Sequence, residues 1–344
     1  MANVYFVIER MDHGAVQSFL GDDLIVVTGG AGFIGSNIVL ELAKAGSRVV
    51  VCDLFRSGEK WRNLAAARLH DIIRPEALLE WLARHGDKLA VIVHMAAISS
   101  TTETNIDKFV AINIRLTLDL WQWCAANAVR FIYASSAATY GDGSAGFGDE
   151  QSPDALAALR PLNPYGWSKH VVDQRVIDDV VRGETTPPQW AGLKFFNVYG
   201  PNESHKGVMQ SLVSKIHPTV KAGEPVTLFK SHNPRYRDGG QLRDFIYVKD
   251  CVAVVSWLLR DPGTSGLFNV GTGTARSFLD LVHAVGAAVG CAPNIRFIDT
   301  PDELRAQYQY FTRADITKLR QAGFDASFCS LEDGVRDYLA RVSP

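Results

Sequence analysis

"VVTGGAGFIG", Val26 to Gly35, closes an apolar run and opens a segment of helical periodicity. Within it Gly30, Gly32 and Gly35 stand in G-x-G-x-x-G spacing. The first glycine permits a tight turn, the second lets a pyrophosphate approach the backbone, and the third allows close helix-to-strand packing at a helix N-terminus that attracts anions. Glycines at this spacing also occur in ordinary turns, so the flanks carry the weight. Upstream, "LIVVT" (Leu24 to Thr28) reads as a strand buried on both faces. Downstream, Ile34, Ile38, Leu42 and Ala45 recur at helical spacing, and Gly46 supplies the stop. A second apolar run, "RVVVC" (Arg48 to Cys52), ends at Asp53, where an acidic side chain accepts the ribose hydroxyls of a dinucleotide. Arg56 and Lys60 follow in "DLFRSGEKW" and suit a 2′-phosphate, so the residues leave NAD and NADP both open.

Working outward, further strands are expected at "LAVIVH" (Leu89 to His94), "RFIYA" (Arg130 to Ala134) and "LKFFNV" (Leu193 to Val198). Helices are expected at Pro75 to Arg84, around Thr117 to Asn127, and from Tyr165 to Arg182. Strands alternating with helices predict an α/β chain: a Rossmann-type doubly wound parallel sheet with a smaller C-terminal α/β substrate-binding region. The expected division is an N-terminal extension over 1–22, a nucleotide-binding domain over 23–200 plus about 243–270, and a substrate-binding domain over about 201–242 plus 271–344.

A chain of 344 residues with net charge -2 has no basic stripe of the kind nucleic acid requires. Small molecules are the expected partners. The five cysteines form no C-x-x-C pair, which argues against a zinc site or a disulfide framework and fits a reducing cytoplasm. The first residues read as neither signal peptide nor membrane anchor, and no later run approaches a membrane span. The histidines show no paired metal-ligand spacing; His94 reads as a satisfied strand-end histidine.

"YASSAATYG" follows the strand at Phe131, and "NPYGWSK" comes about thirty residues later. Tyr165 and Lys169, four apart, share one face of a helix. Lys169 and an oxidised nicotinamide would lower the pKa of the Tyr165 hydroxyl, and Ser136 would hydrogen-bond the same substrate oxygen. The bland alternative is a packed tyrosine beside a solvated lysine. Arg235, Arg237 and Arg243 form a basic cluster suited to a substrate pyrophosphate, with Arg243 the expected direct contact.

Taken together, "SSTTET", "YASSAATYG", "NPYGWSK", "FFNVYGPNESHKG", "RDFIYVKD", "FNVGTG" and "YQYFTRADITKLRQAGF" resemble an extended short-chain dehydrogenase/reductase, and within it the ADP-glyceromanno-heptose 6-epimerases. The resemblance runs from Leu24 to the carboxyl end. It implies inversion of ADP-D-glycero-β-D-manno-heptose at C6 with tightly bound NADP, in a cytoplasmic homo-oligomer. It assigns acid/base roles to Tyr165 and Lys206, with Ser136 and Lys169 completing the catalytic set. It places Gly29, Gly30, Gly32, Phe33, Ile34, Gly35, Asp53, Leu54, Lys60, Ala96, Ala97, Asn113 and Val198 at the cofactor together with Tyr165, Lys169 and Lys206; Asp71 in "RLHDII" reads equally as a cofactor residue near the adenine and as a solvated loop carboxylate. Ser99, Ser136, Asn197, Lys215, Phe229, Arg243 and Tyr308 are assigned to the substrate. The segment Ser231 to Leu242 is longer than the family's, Lys215 stands where a histidine is common, and Val208 where a serine is common. A 4-epimerase of another nucleotide sugar is the alternative enzyme, and an NADP-sensing protein without activity is the non-enzymatic one. A 4,6-dehydratase would need an acid beside the serine, and "SSAATYG" carries none.

Overall fold

The computed structural model describes residues 23–56, 58–100, 103–305 and 309–342. Its centre is a seven-stranded sheet in which every pairing is parallel. The strands are β1 (Leu24–Thr28), β2 (Arg48–Cys52), β3 (Asp71–Ile73), β4 (Leu89–His94), β5 (Arg130–Ser136), β6 (Trp190–Phe195) and, much later in the chain, Gly266–Val270. The last of these pairs with β6 at one edge, while β3 closes the other.

Alternation within β1 shows why the run is apolar throughout. Leu24 and Val26 face one core, Ile25 and Val27 the other, and all four are buried. On the second face lie α1 (Phe33–Lys44), through Ile38, Val39 and Leu42, and the helix Val248–Arg260, through Val254, Val255 and Leu258. Opposite them, α2 (Leu78–His85), α3 (Leu116–Ala126) and α4 (Pro164–Val181) bury Leu82, Trp121, Val172 and Val176. Fully burying such a side chain is worth roughly 1.5–3 kcal/mol, so both faces stabilise the sheet. This is the Rossmann-type α/β arrangement.

Two details differ from the sequence reading. Strand β3 was not expected; only three residues long, it gives too little periodicity to detect. The run "LKFFNV" is two strands: β6 ends at Phe195, and β7 (Asn197–Tyr199) leaves for another sheet. There it pairs with β9 (Leu242–Tyr247), after β8 (Pro225–Phe229) in the chain. The break falls at Phe196, whose N–H bonds Val270 O at 3.0 Å. A third core gathers Tyr199, Val213, Leu228, Tyr247, Val282 and Val335 around β7, β8, β9 and the later helices, and includes Phe33 of α1. No described helix is long and apolar enough to cross a membrane.

Candidate active site

One open cleft of about 850 Å³ lies where the carboxyl ends of β1, β2, β4 and β5 meet the start of β7. Ligands of open α/β sheets bind at such an edge. Its floor is the turn between β1 and α1. Gly29 adopts φ +64°, and a Cβ there would lie 2.6 Å from Ala96 N. A Cβ on Gly35 would lie 2.2 Å from Gly29 O, so only glycine lets α1 start this close to the strand. The N-cap Gly32 offers no side-chain cap, and the first turn of α1 holds no acidic residue. The amides of that first turn and the positive dipole end therefore face the cleft with no capping side chain of the helix on them, and the donor set fits a dinucleotide pyrophosphate.

Asp53 is buried beside this turn. Its Oδ2 accepts from Ala31 N at 2.8 Å, and its Oδ1 from Leu54 N at 2.6 Å and Lys60 Nζ at 2.5 Å. Three of about four lone-pair positions are thus filled, and Lys60 offsets the charge. Lys60 and Arg56 both line the cleft.

Helix α4 brings the reacting groups in. Asn163 caps it, accepting from Gly166 N at 2.9 Å, and Pro164 supplies the preset first turn. A Cβ on Gly166 would lie 2.5 Å from Ala138 O, so glycine allows the first turn of α4 to press against the exit of β5. That approach brings Tyr165 beside Ser136, and both line the cleft. The sequence led to expect a lowered phenol pKa. In the chain alone burial raises it, with Ser136 working the other way, and Lys169 is not among the groups that lower it. Burial also lowers the Lys169 ammonium to about 8, against the pull of Asp173.

Lys206 enters from the loop after β7. The backbone there is left-handed at Asn202, φ +73°, and at Gly207, φ +53°. Its ammonium stands 5.0 Å over the Phe33 ring, and its pKa is lowered first by burial and also by Lys215, with Glu203 opposing. Glu203, fully buried, clasps the loop by accepting from Gly200 N at 3.4 Å, Ser211 N at 2.5 Å and Ser211 Oγ at 2.6 Å. On its other side the loop is sewn to α1 and its surroundings. Asn37 Nδ2 donates to Pro201 O at 3.0 Å, Asn202 Nδ2 to Ser36 Oγ at 3.1 Å, and Asn63 Nδ2 to Asn202 O at 3.2 Å.

A family model described as "NAD dependent epimerase/dehydratase family" matches residues 25–271. The chain belongs to that family. Among curated relatives, an ADP-L-glycero-D-manno-heptose-6-epimerase of Nitratidesulfovibrio vulgaris is 46% identical over 334 residues, covering 93% of this chain and 99% of the relative. One from Fusobacterium nucleatum is 43% identical, with 92% and 97% covered. Among solved structures, the ADP-L-glycero-D-manno-heptose-6-epimerase of Helicobacter pylori superposes with a TM-score of 0.76 at 28% identity, covering 94% of this chain and 97% of that one. A UDP-glucose 4-epimerase of Thermus thermophilus, solved with NAD, gives 0.72 at 26% identity, with 92% and 98% covered. The cofactor class of this epimerase/dehydratase family member is thus a nicotinamide dinucleotide.

In this family member the cleft gathers most of the expected residues: Gly29, Gly32, Phe33, Ile34, Gly35, Asp53, Leu54, Lys60, Ala96, Ala97, Ser99, Ser136, Tyr165, Lys169, Asn197, Val198 and Lys206. Six expected residues lie outside its lining. Gly30 is packed against Val27 O and Val51. Asp71 is bound to Trp81 Nε1 at 3.1 Å and to Ile72 N at 2.7 Å. Asn113 is buried, with its amide on Ile98 N, Ile98 O and Ser168 Oγ, so it ties the 96–99 loop to α4. It stands in a π-helical stretch, Phe109–Arg115, a form that recurs at functional sites. Lys215 is exposed on the helix Leu212–Lys221 and reaches Lys206 through its field. Phe229 closes β8, and Arg243 stacks at 5.6 Å over Phe278, a cleft residue, while bonding Leu242 O and Gln309 O. Tyr308 lies outside the described residues.

Sequence reasoning missed the groups beneath the reacting set. Asp173 and Lys194 form a fully buried ion pair at 2.6 Å. His205, which also lines the cleft, meets Asn63 Nδ2 at 3.2 Å. Asp173 was visible only as a position one turn beyond Lys169. His94 is bonded on both ring nitrogens, to Thr28 and Thr117, and burial lowers it to about 3, so it is neutral. Among the described residues no cluster fit for a metal occurs.

Proposed function

We propose that the protein inverts C6 of ADP-D-glycero-β-D-manno-heptose to the L-glycero epimer by transient oxidation to a ketone, with NADP as the resident cofactor. The carrying observation is that one cleft holds the phosphate turn, the Ser136–Tyr165–Lys169 set and Lys206 together. The nicotinamide, when bound, supplies the acceptance and return of hydride. The chain supplies the proton chemistry. Ser136 hydrogen-bonds the reacting oxygen. Tyr165 Oη exchanges the hydroxyl proton of one epimer, and Lys206 Nζ that of the other, because inversion moves the oxygen to a second position. A lowered Lys206 pKa enlarges the neutral fraction able to accept a proton. Lys169 helps to hold Tyr165 as phenolate by its positive field. Lys60 and Arg56, beside a carboxylate already bonded by Lys60, favour the 2′-phosphate of NADP. The later part of the chain, about 201–242 plus 271–344, covers the substrate in this reading.

The test is incubation of the purified protein with ADP-D-glycero-β-D-manno-heptose in deuterated water, read by NMR, after acid release of the cofactor from a second sample. Expected are the L-glycero product without deuterium on C6, and NADP in the acid extract. Solvent label on that carbon would overturn the redox route. Epimerisation of UDP-glucose with none of the heptose would transfer the site to the 4-epimerase reading, and NAD alone would overturn the cofactor assignment.

A further inference from the structure

We propose that the buried Asp173–Lys194 pair is a positioning device for the reacting groups, fixing the backbone that carries Ser136 and giving the Lys169 ammonium its counter-charge. The inference rests on the assignment of Ser136, Tyr165 and Lys169 as the reacting set.

Lys194 lies on β6, in register with Ser135 of β5, and its side chain is 1% exposed. A buried ammonium without partners would lose its proton or unfold its surroundings. This one donates to Asp173 at 2.6 Å and to Thr139 Oγ1 at 2.8 Å, and lies 5.1 Å over the Tyr140 ring. Asp173 in turn accepts from Ser135 Oγ at 2.7 Å and Tyr133 OH at 3.0 Å. Thr139 Oγ1 donates to the carbonyl of Ser136 at 2.9 Å. The bonds therefore end on both flanks of Ser136: on the residue before it and, through Thr139, on its own carbonyl. The same carboxylate sits one turn along α4 from Lys169, on the helix that also carries Tyr165.

The charge balance makes the second half of the role. Two buried ammonium groups lie near one carboxylate: Lys194 contacts Asp173 at 2.6 Å, and Lys169 stands one helical turn before it and feels its field. The charged group acting on Lys169 is Asp173 from its own helix; Tyr165 stands one turn before Lys169 and lines the same cleft, His94 of β4 is neutral, and Lys194 of β6 is bound to Asp173. Asp173 is the one anion in this set, and it works against the burial that brings Lys169 to about 8. A pair that served stability alone would be replaceable by apolar residues of similar volume. A pair that serves the reacting groups is not.

The test uses Asp173→Asn in the full chain. Titration of the Lys169 side chain by NMR with isotope-labelled lysine is expected to show a midpoint lowered by about one pH unit or more. At neutral pH kcat is expected to fall about 10- to 100-fold, the range seen for partners that orient reacting groups, with KM little changed and part of the loss recovered at lower pH. An unchanged Lys169 midpoint together with unchanged kcat would overturn the proposal. Should Asp173→Asn not fold, the double variant Ser135→Ala/Thr139→Val decides: it leaves the ion pair and removes the ties to Ser136, and a wild-type kcat in it would overturn the positioning role. Tyr165→Phe is run alongside. Near wild-type turnover in that control would remove the assignment of the reacting set, while the Lys169 titration still reports on the pair itself.

Discussion

Lys169 stands within a helix of 18 residues, whereas Lys206 stands in a loop whose backbone turns left-handed at Asn202 and Gly207. Both ammonium groups titrate below the ordinary lysine range, with burial the first cause, and both are opposed by a nearby carboxylate on the same segment. The carboxylates differ. Asp173 is itself bound to a second cation and to two hydroxyl groups. The bonds Glu203 makes to Gly200 and Ser211 come from neutral donors, amides and a hydroxyl. One lysine therefore stands beside a charged lattice, a setting suited to a constant positive field. The other stands over a hydrophobic ring in a loop clasped by one carboxylate through amide and hydroxyl donors, a setting in which a change of protonation disturbs fewer partners. The difference matches the roles proposed for them, a standing electrostatic group and a proton carrier.

The comparison breaks most readily at the two proposed acid/base groups. Tyr165→Phe and Lys206→Met should each slow complete epimerisation, by roughly 10²- to 10⁴-fold. Each should still permit oxidation of one pure epimer, and the tolerated epimer should switch between the variants. Single-turnover absorbance with both epimers measures this. If Lys206→Met turns over at near wild-type speed, or both variants fail on the same epimer while binding cofactor normally, the division of labour is wrong.

A smaller effect is expected from loosening the clasp. Glu203→Gln turns one acceptor oxygen into a donor and leaves part of the Gly200–Ser211 bonding unmade, at a cost of about 1–3 kcal/mol in stability. Single-turnover oxidation should slow about tenfold, the factor equivalent to 1.4 kcal/mol, and only for the epimer that Lys206 serves. Equal losses for both epimers would mean that the loop shapes the whole cleft rather than placing one lysine.

The smallest effect is a pH dependence. Lys169 has a folded pKa of about 8 against 10.5 for a free side chain. Between those values the unfolded chain holds more protons than the folded one, so the contribution of this residue to stability rises with pH and the burial cost is fully felt below about 8. Chemical denaturation of wild type and Lys169→Met across that window should show wild type gaining on the variant. The same comparison for Lys206→Met should give a change of the same sign and smaller size, because that ammonium is less deeply buried. A larger change at Lys206 would reverse the contrast between helix and loop.

How much of this was legible in the sequence follows from range. Strands β1, β2 and β4 have the boundaries that their apolar runs predicted, because the signal is local and continuous. The division of "LKFFNV" at Phe196 was hidden: the apolar run continues across it, and the break is made by a bond to a residue more than seventy positions later. Within the site, the phosphate turn and the Tyr165–Lys169 spacing were readable as motifs. Asp173 with Lys194 was not, since the two are 21 positions apart and meet only when α4 packs on the sheet. Asn113 was read as a cofactor contact because it falls at a matching position, yet its amide is committed to Ile98 and Ser168.

The seam that joins the Lys206 loop to α1 is made of Asn37, Ser36, Asn202 and Asn63, and none of these side chains carries charge. The adjoining His205 has its pKa lowered by burial, so it too is neutral near pH 7. Dissolved ions screen charges and leave neutral dipolar bonds almost untouched. The seam is thereby insulated from ionic strength: salt acts on the approach and grip of an anionic ligand, and leaves the stitching of the loop to α1 almost unchanged.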